Sequence, residues 1–231
     1  MSADITQFLL TALIVGPGII LAITLHEASH GFVAWKLGDD TAYQLGRVTF
    51  NPLRHIDPMG TIILPAILVF TTGFMFGYAK PVPVDFRRLR HPRRDMVLVA
   101  AAGPAMNLLI AFVTALALHL IPNTATLTTA VISQMFGYCI FFNVIIGVFN
   151  MIPLPPLDGG RVAVGLLPNP LAYRLARLER YGMIILLIAL IGLPLIGQQI
   201  GRDLNVVGWI LRPIVDFVTG LIYLVTGNTA P

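Results

Sequence analysis

Residues 8–35 run for 28 positions with one formally charged side chain, Glu27. A stretch this long and apolar needs a lipid environment: about 20 apolar residues already span a bilayer as a helix. Yet the same stretch holds His26, Glu27 and His30. Ionisable groups at membrane depth cost roughly 2.5–3.5 kcal/mol each on insertion scales. Three within five residues therefore need a purpose. Histidines four apart lie one above the other on a single helical face, so both can aim a ring nitrogen at one divalent ion. The glutamate beside the first is placed to take a proton from water polarised by that ion. This is the physical content of the His-Glu-x-x-His pattern of zinc hydrolases.

The remainder of the chain has the same character. The whole chain is 56% hydrophobic and 11% charged, with a mean hydropathy of +0.82, against about 25% charged residues in soluble domains. A net charge of +4 would suggest nucleic acid in a soluble protein. Here the cations sit in loops between apolar runs, where they mark topology, and no nucleic-acid partner is expected. Membrane lipid is the surrounding medium. One cysteine, Cys139, excludes an internal disulfide and any multi-cysteine zinc site. No Lys or Arg precedes Lys36, so the first run is not expected to be a cleaved signal peptide.

In order, the chain reads as a long first helix over 5–35, bent at Gly16-Pro17-Gly18. A polar, turn-rich stretch follows, in which 43–50 alternates loosely as a short strand or hairpin would. Next come a proline-bounded connector at 51–58, an apolar segment at 59–78 interrupted by Pro65 and Gly73, and a basic stretch over 80–95. Helices at 96–121 and 128–150, a proline- and glycine-dense break at 151–161, a second basic loop at 174–180, and helices at 181–200 and 206–225 complete it. The expected fold is an all-α polytopic membrane protein. It has about five to six membrane-embedded helices, a small β-hairpin or sheet after the first helix, and a re-entrant segment. One membrane-embedded domain covers 1–231, with its core at 5–165 and C-terminal helices at 181–226.

A catalytic zinc site uses three protein ligands and an open position, and acids at membrane depth are few. Asp158 is the best-placed third ligand, in a rigid turn after a helix end; irregular backbone at that depth is tolerated only where it is buried or lines a wet cavity. Glu27 would act as general base and then as proton donor. His55 has a metal reading too, but a lone loop histidine is more often a hydrogen-bonding turn residue.

His26-Glu27-Ala28-Ser29-His30, Gly103-Pro104-Ala105-Met106-Asn107 and the run from Asn150 through Pro153, Pro155 and Pro156 to Asp158-Gly159-Gly160 occur in the order seen in the site-2 protease family of intramembrane zinc metalloproteases. The chain resembles a compact bacterial branch of that family, with no PDZ-like insertion between Ile121 and Thr128. The resemblance implies one Zn2+ on His26, His30 and Asp158, with Glu27 as catalytic acid/base. It implies Asn150 near the metal as an oxyanion donor and Asn107 as a residue that orients bound substrate or helix packing. It also implies a transmembrane protein or peptide substrate, cleaved in or near its membrane segment, as in regulated intramembrane proteolysis. The alternatives are a divalent-metal transporter or a non-catalytic membrane binding protein; neither needs Glu27 as an acid/base.

One ion touching residues 26, 30 and 158 constrains topology. The ends of the first helix and of the helix 128–150 share a side only if 59–78 enters and leaves on the same face, with Pro65 and Gly73 as bends. All three basic loops then share that face, which the positive-inside rule makes cytoplasmic. The expectation is a prokaryotic plasma-membrane protein with its active site toward the cytoplasm. The edge of a strand at 43–50 would accept an extended substrate by backbone pairing.

Overall fold

A computed structural model describes residues 2–72, 77–122 and 124–228. The first helix, α1 (Ser2–Lys36), is unbroken and carries Pro17 inside it. After it come α2 (Thr41–Gln44), α3 (Leu64–Thr72), α4 (Pro92–Ala117), α5 (Leu127–Asn150), α6 (Asp158–Leu166), α7 (Asn169–Arg177), α8 (Glu179–Leu187), α9 (Leu193–Gln199) and α10 (Val206–Thr226). Among the described residues, five helical stretches are long and apolar enough to cross a membrane: Leu9–Lys36, Pro92–Leu120, Leu127–Asn150, Glu179–Gln199 and Val206–Thr226. The chain is a multi-pass integral membrane protein.

Helices α1, α4 and α5 form the central bundle, with α6 and α10 packed on its flanks. Small residues let the backbones close up: a Cβ on Gly18 would sit 2.9 Å from the Cα of Cys139 on α5. Farther from the histidines, Ala111, Ala115, Ile140 and Val144 pack against Val215, Ile222 and Tyr223 of α10. That face of α10 is turned inward, while Arg212 and Asp216 lie exposed, 3.9 Å apart.

The β-hairpin or sheet expected after the first helix is not there; among the described residues there is no strand. Over 44–47 the backbone bonds to itself instead. Asp39 accepts from the Thr41 N–H and hydroxyl, starting the helical turn α2. The N–H groups of Leu45, Gly46 and Arg47 then return to Thr41, Tyr43 and Ala42. Gly46 takes a positive φ of 63°, and the Tyr43 ring stacks on Trp35 at 4.4 Å. Loose alternation does not make a strand where the N–H groups of residues 44–47 already have local acceptors.

The apolar segment leaves and returns at one place. It begins as wide π-type turns over Pro58–Ile63 and continues into α3, with Pro65 in the first turn of that helix. The Tyr78 N–H then donates back to the Gly60 carbonyl and the Lys80 N–H to that of His55. Gly73 lies outside the described residues. The Arg90 N–H donates to the Leu37 carbonyl, so the start of α4 lies beside the end of α1.

Candidate metal centre

Two ridges of side chains meet where α1 crosses α4. On α1, Ala22, His26 and His30 recur at intervals of four; on α4, so do Val99, Gly103 and Asn107. Such rows interdigitate when helices pack. The His30 Nδ1–H donates to the Val99 carbonyl at 2.7 Å, and the His26 Nδ1–H to Asn107 Oδ1 at 2.6 Å. Both acceptors are oxygens without a proton to give, so each imidazole carries its hydrogen on Nδ1 and presents a lone pair at Nε2. Asn107 is oriented in turn. Its amide donates to the Ala22 carbonyl at 3.1 Å and to Asn143 Oδ1 at 3.0 Å, and Asn143 donates to the Cys139 carbonyl at 2.9 Å. Asn107 and Asn143 are fully buried.

Asp158 enters from the opposite side as the first residue of α6. The chain reaches it through a turn with a cis Pro155–Pro156 peptide. Gly159 packs on the Met151 backbone, and Gly160 and Gly182 pack on that of Pro155, leaving no room for a Cβ at any of the three. At the other end of α6, Arg93 of α4 donates to the carbonyls of Gly165 and Leu167.

The sequence-predicted ligands thus converge. The two Nε2 atoms are 3.1 Å apart, and Asp158 Oδ2 lies 3.1 Å from His26 Nε2 and 3.3 Å from His30 Nε2. Asp158 Oδ2 is buried and receives no hydrogen bond. Two lone pairs and a carboxylate oxygen aimed at one point repel unless a cation lies among them. Zinc bonds of about 2.0–2.1 Å at tetrahedral angles separate donors by roughly 3.3 Å. His26, His30 and Asp158 fit that ion in donor type and spacing, and they are the only group of three potential ligands found together among the described residues.

Glu27 lines a cavity of about 550 Å³ together with His26, His30 and Asp158, and Asn150, Tyr78, Val82 and Leu186 complete that part of its wall. Its Oε2 accepts from the Val82 N–H at 2.8 Å. Asn150 lines the same cavity with its amide donating to the Ile146 carbonyl at 2.9 Å. Asn107 is not on the cavity wall; its carboxamide is spent behind His26. His55 is also outside the ligand group, buried with Nε2 toward the Thr49 carbonyl at 3.1 Å.

Sequence reasoning named Gly103 only as part of a motif, without its role, though its α-carbon faces both imidazoles, and it missed Asn143, which holds Asn107. Replacing Asn107 with leucine should leave His26 Nδ1–H without an acceptor in a buried site. Zinc affinity is expected to fall roughly 10–100-fold, measured by competition with a chelator of known affinity. An unchanged affinity would mean that Asn107 does not orient the ring.

Comparison with known proteins agrees with this geometry. The profile of peptidase family M50 matches residues 120–191. YwhC of Bacillus subtilis is 40% identical over 174 residues, covering 74% of this chain and 76% of its own. Rip2 of Mycolicibacterium smegmatis is 32% identical over 75% of this chain and 65% of its own. MJ0611 of Methanocaldococcus jannaschii is 30% identical over 85% of this chain and 82% of its own. All three carry the name of a zinc metalloprotease. No solved structure matches the chain significantly. The chain therefore belongs to peptidase family M50, the site-2 protease family, and is a zinc-dependent membrane protease.

Proposed function

We propose that this protein is an intramembrane endopeptidase with a single zinc ion held by His26, His30 and Asp158, cleaving peptide bonds in or near the transmembrane segments of membrane proteins. The observation that carries the reading is the meeting of those three donor atoms, 3.1–3.3 Å apart, with Glu27 on the adjoining cavity wall. The ion supplies a Lewis acid that polarises water and the scissile carbonyl. Glu27 keeps one carboxylate oxygen on the Val82 N–H and has the other for the proton of the attacking water, which it then returns to the leaving amine. His26 and His30 stay in one tautomer because their Nδ1–H groups are bonded to Asn107 and Val99. Asn150 reaches a developing oxyanion by releasing its bond to the Ile146 carbonyl. The C-terminal helices belong to the same unit, since Met183 and Leu186 of α8 line the cavity.

The orientation follows from charge. Lys36 ends α1, and Arg87, Arg88, Arg90, Arg93 and Arg94 surround the start of α4, at the end of the bundle nearer the ligands. The positive-inside rule assigns that end to the cytoplasm and the start of α1 to the outer face of a prokaryotic plasma membrane.

The test is metal removal. Purified protein in detergent is expected to cleave a model transmembrane substrate, to lose that activity on chelation, and to regain it with stoichiometric zinc but not with magnesium. Cleavage that survives complete removal of zinc would refute the reading.

A further inference from the structure

Glu27 and Gly31 form a second ridge on α1, beside the histidine ridge, and it faces the stretch of chain at 78–85, with Ala42 of α2 and Val48 beside it. Gly31 makes the approach possible: a Cβ there would lie 3.0 Å from methyl groups of both Val48 and Val82. The stretch is held by its main chain. The Tyr78 N–H donates to Gly60, that of Lys80 to His55 at 2.9 Å, and that of Asp85 to Asp39 Oδ2 at 2.7 Å. Pro81 and Pro83 have no N–H to give. Val82 therefore carries the one amide hydrogen of its tripeptide, and this is the group that donates to Glu27.

The other side of the same peptide is occupied by Arg47. Its Nη2 donates to the Lys80 carbonyl at 2.8 Å and reaches the Pro81 carbonyl at 3.5 Å. Arg47 is 8% exposed, its Nε has no hydrogen-bond partner, and among the described residues no carboxylate pairs with it. Burying a guanidinium is costly unless its hydrogens are used. Here only those on Nη2 are used, directed at two successive carbonyls. The Pro81 carbonyl and the Val82 N–H belong to one planar amide, so a cation at its oxygen fixes the plane and strengthens the donor on its far side.

We propose that Arg47 is a positioning residue for the catalytic carboxylate. Through the Pro81–Val82 peptide it sets the N–H that holds Glu27 Oε2, and so keeps the other oxygen of Glu27 turned to the cavity. Arg47 is not among the residues that line the cavity. The inference rests on Glu27 being the proton-transfer group of the reaction.

The experiment uses the full chain, zinc-loaded, on a model transmembrane substrate. Arg47→Met removes the donors at nearly constant length. It is expected to lower kcat roughly 10–100-fold, the scale of a misplaced catalytic group, with KM within about twofold and zinc content unchanged. Arg47→Lys, which keeps a cationic donor, should recover part of the loss. In a Glu27→Asp background, where the shorter carboxylate no longer reaches Val82, adding Arg47→Met should cost less than about threefold, because the two act as one unit. A full additional loss in that background would overturn the inference, as would loss of zinc or of the folded state in both Arg47 variants. Wild-type kcat in Arg47→Met beside an inactive Glu27→Gln would overturn this inference alone. Wild-type kcat in Glu27→Gln would overturn the role of the base, and this inference with it.

Discussion

Replacing Glu27 with glutamine is expected to abolish peptide-bond hydrolysis while leaving the zinc in place. The two side chains have nearly the same shape, and the glutamine carbonyl can still accept from the Val82 N–H, now 2.8 Å from Glu27 Oε2. The three converging donor atoms belong to other residues. What glutamine cannot do is take a proton from water at neutral pH. A positioned acid/base contributes roughly 10²- to 10⁴-fold to rate, so turnover should fall by that factor in steady-state assays on a transmembrane substrate, with about one zinc per chain in both proteins. Retained turnover would remove Glu27 from the chemistry. Joint loss of zinc and turnover would make it a structural or ligating residue instead.

The second large effect is expected from the smallest change. Gly103 sits on the α4 ridge between Val99 and Asn107. A Cβ at that position would lie 2.5 Å from His30 Nε2 and 2.6 Å from His26 Nε2, in contact with the two lone pairs that face the metal. The rings cannot swing aside cheaply, because each is tethered through Nδ1 to the same helix that carries the new methyl group. Alanine is a better helix former than glycine by about 1 kcal/mol, so Gly103→Ala should fold and keep its helical content. It should nevertheless lose zinc, by more than the roughly 10–100-fold that removal of an outer hydrogen-bond partner costs, and lose proteolysis with it. Zinc analysis and circular dichroism of the same preparation separate the two effects. A Gly103→Ala protein with full zinc and full activity would mean that α4 does not approach the histidines as described.

These two predictions differ in how far the sequence alone could have reached them. His26, Glu27 and His30 are legible because charge is expensive in lipid and an i, i+4 pair shares a face. Asp158 is legible because few acids accompany them. The family motifs added Asn107 and Asn150 by name. For Asn107 they suggested substrate or helix packing; its carboxamide bonds across helices to Ala22 and Asn143, and also to His26, a partner the motifs did not name. Gly103, Asn143 and Arg47 depend on which ridge meets which across the bundle, and one-dimensional periodicity carries no record of that. The strand expected at 43–50 fails for a local reason. The Asp39 side chain and the positive φ of Gly46 close the backbone on itself, and these outweigh loose alternation where no neighbouring strand exists. The apolar segment after Pro58 was harder still: its composition suits a membrane, and its ends are brought together by bonds that composition does not record, from Tyr78 to Gly60, from Lys80 to His55 and from the Thr61 hydroxyl to the Tyr78 carbonyl.

Zinc-edge X-ray absorption of the purified, active protein tests the central claim most directly. The account predicts about one zinc per chain, surrounded by nitrogen and oxygen at about 2.0–2.1 Å, with the multiple-scattering signature of two imidazoles and a lost oxygen neighbour in Asp158→Ala. Zinc with a sulfur neighbour, a shell with no imidazole, or a spectrum that Asp158→Ala leaves unchanged would contradict it.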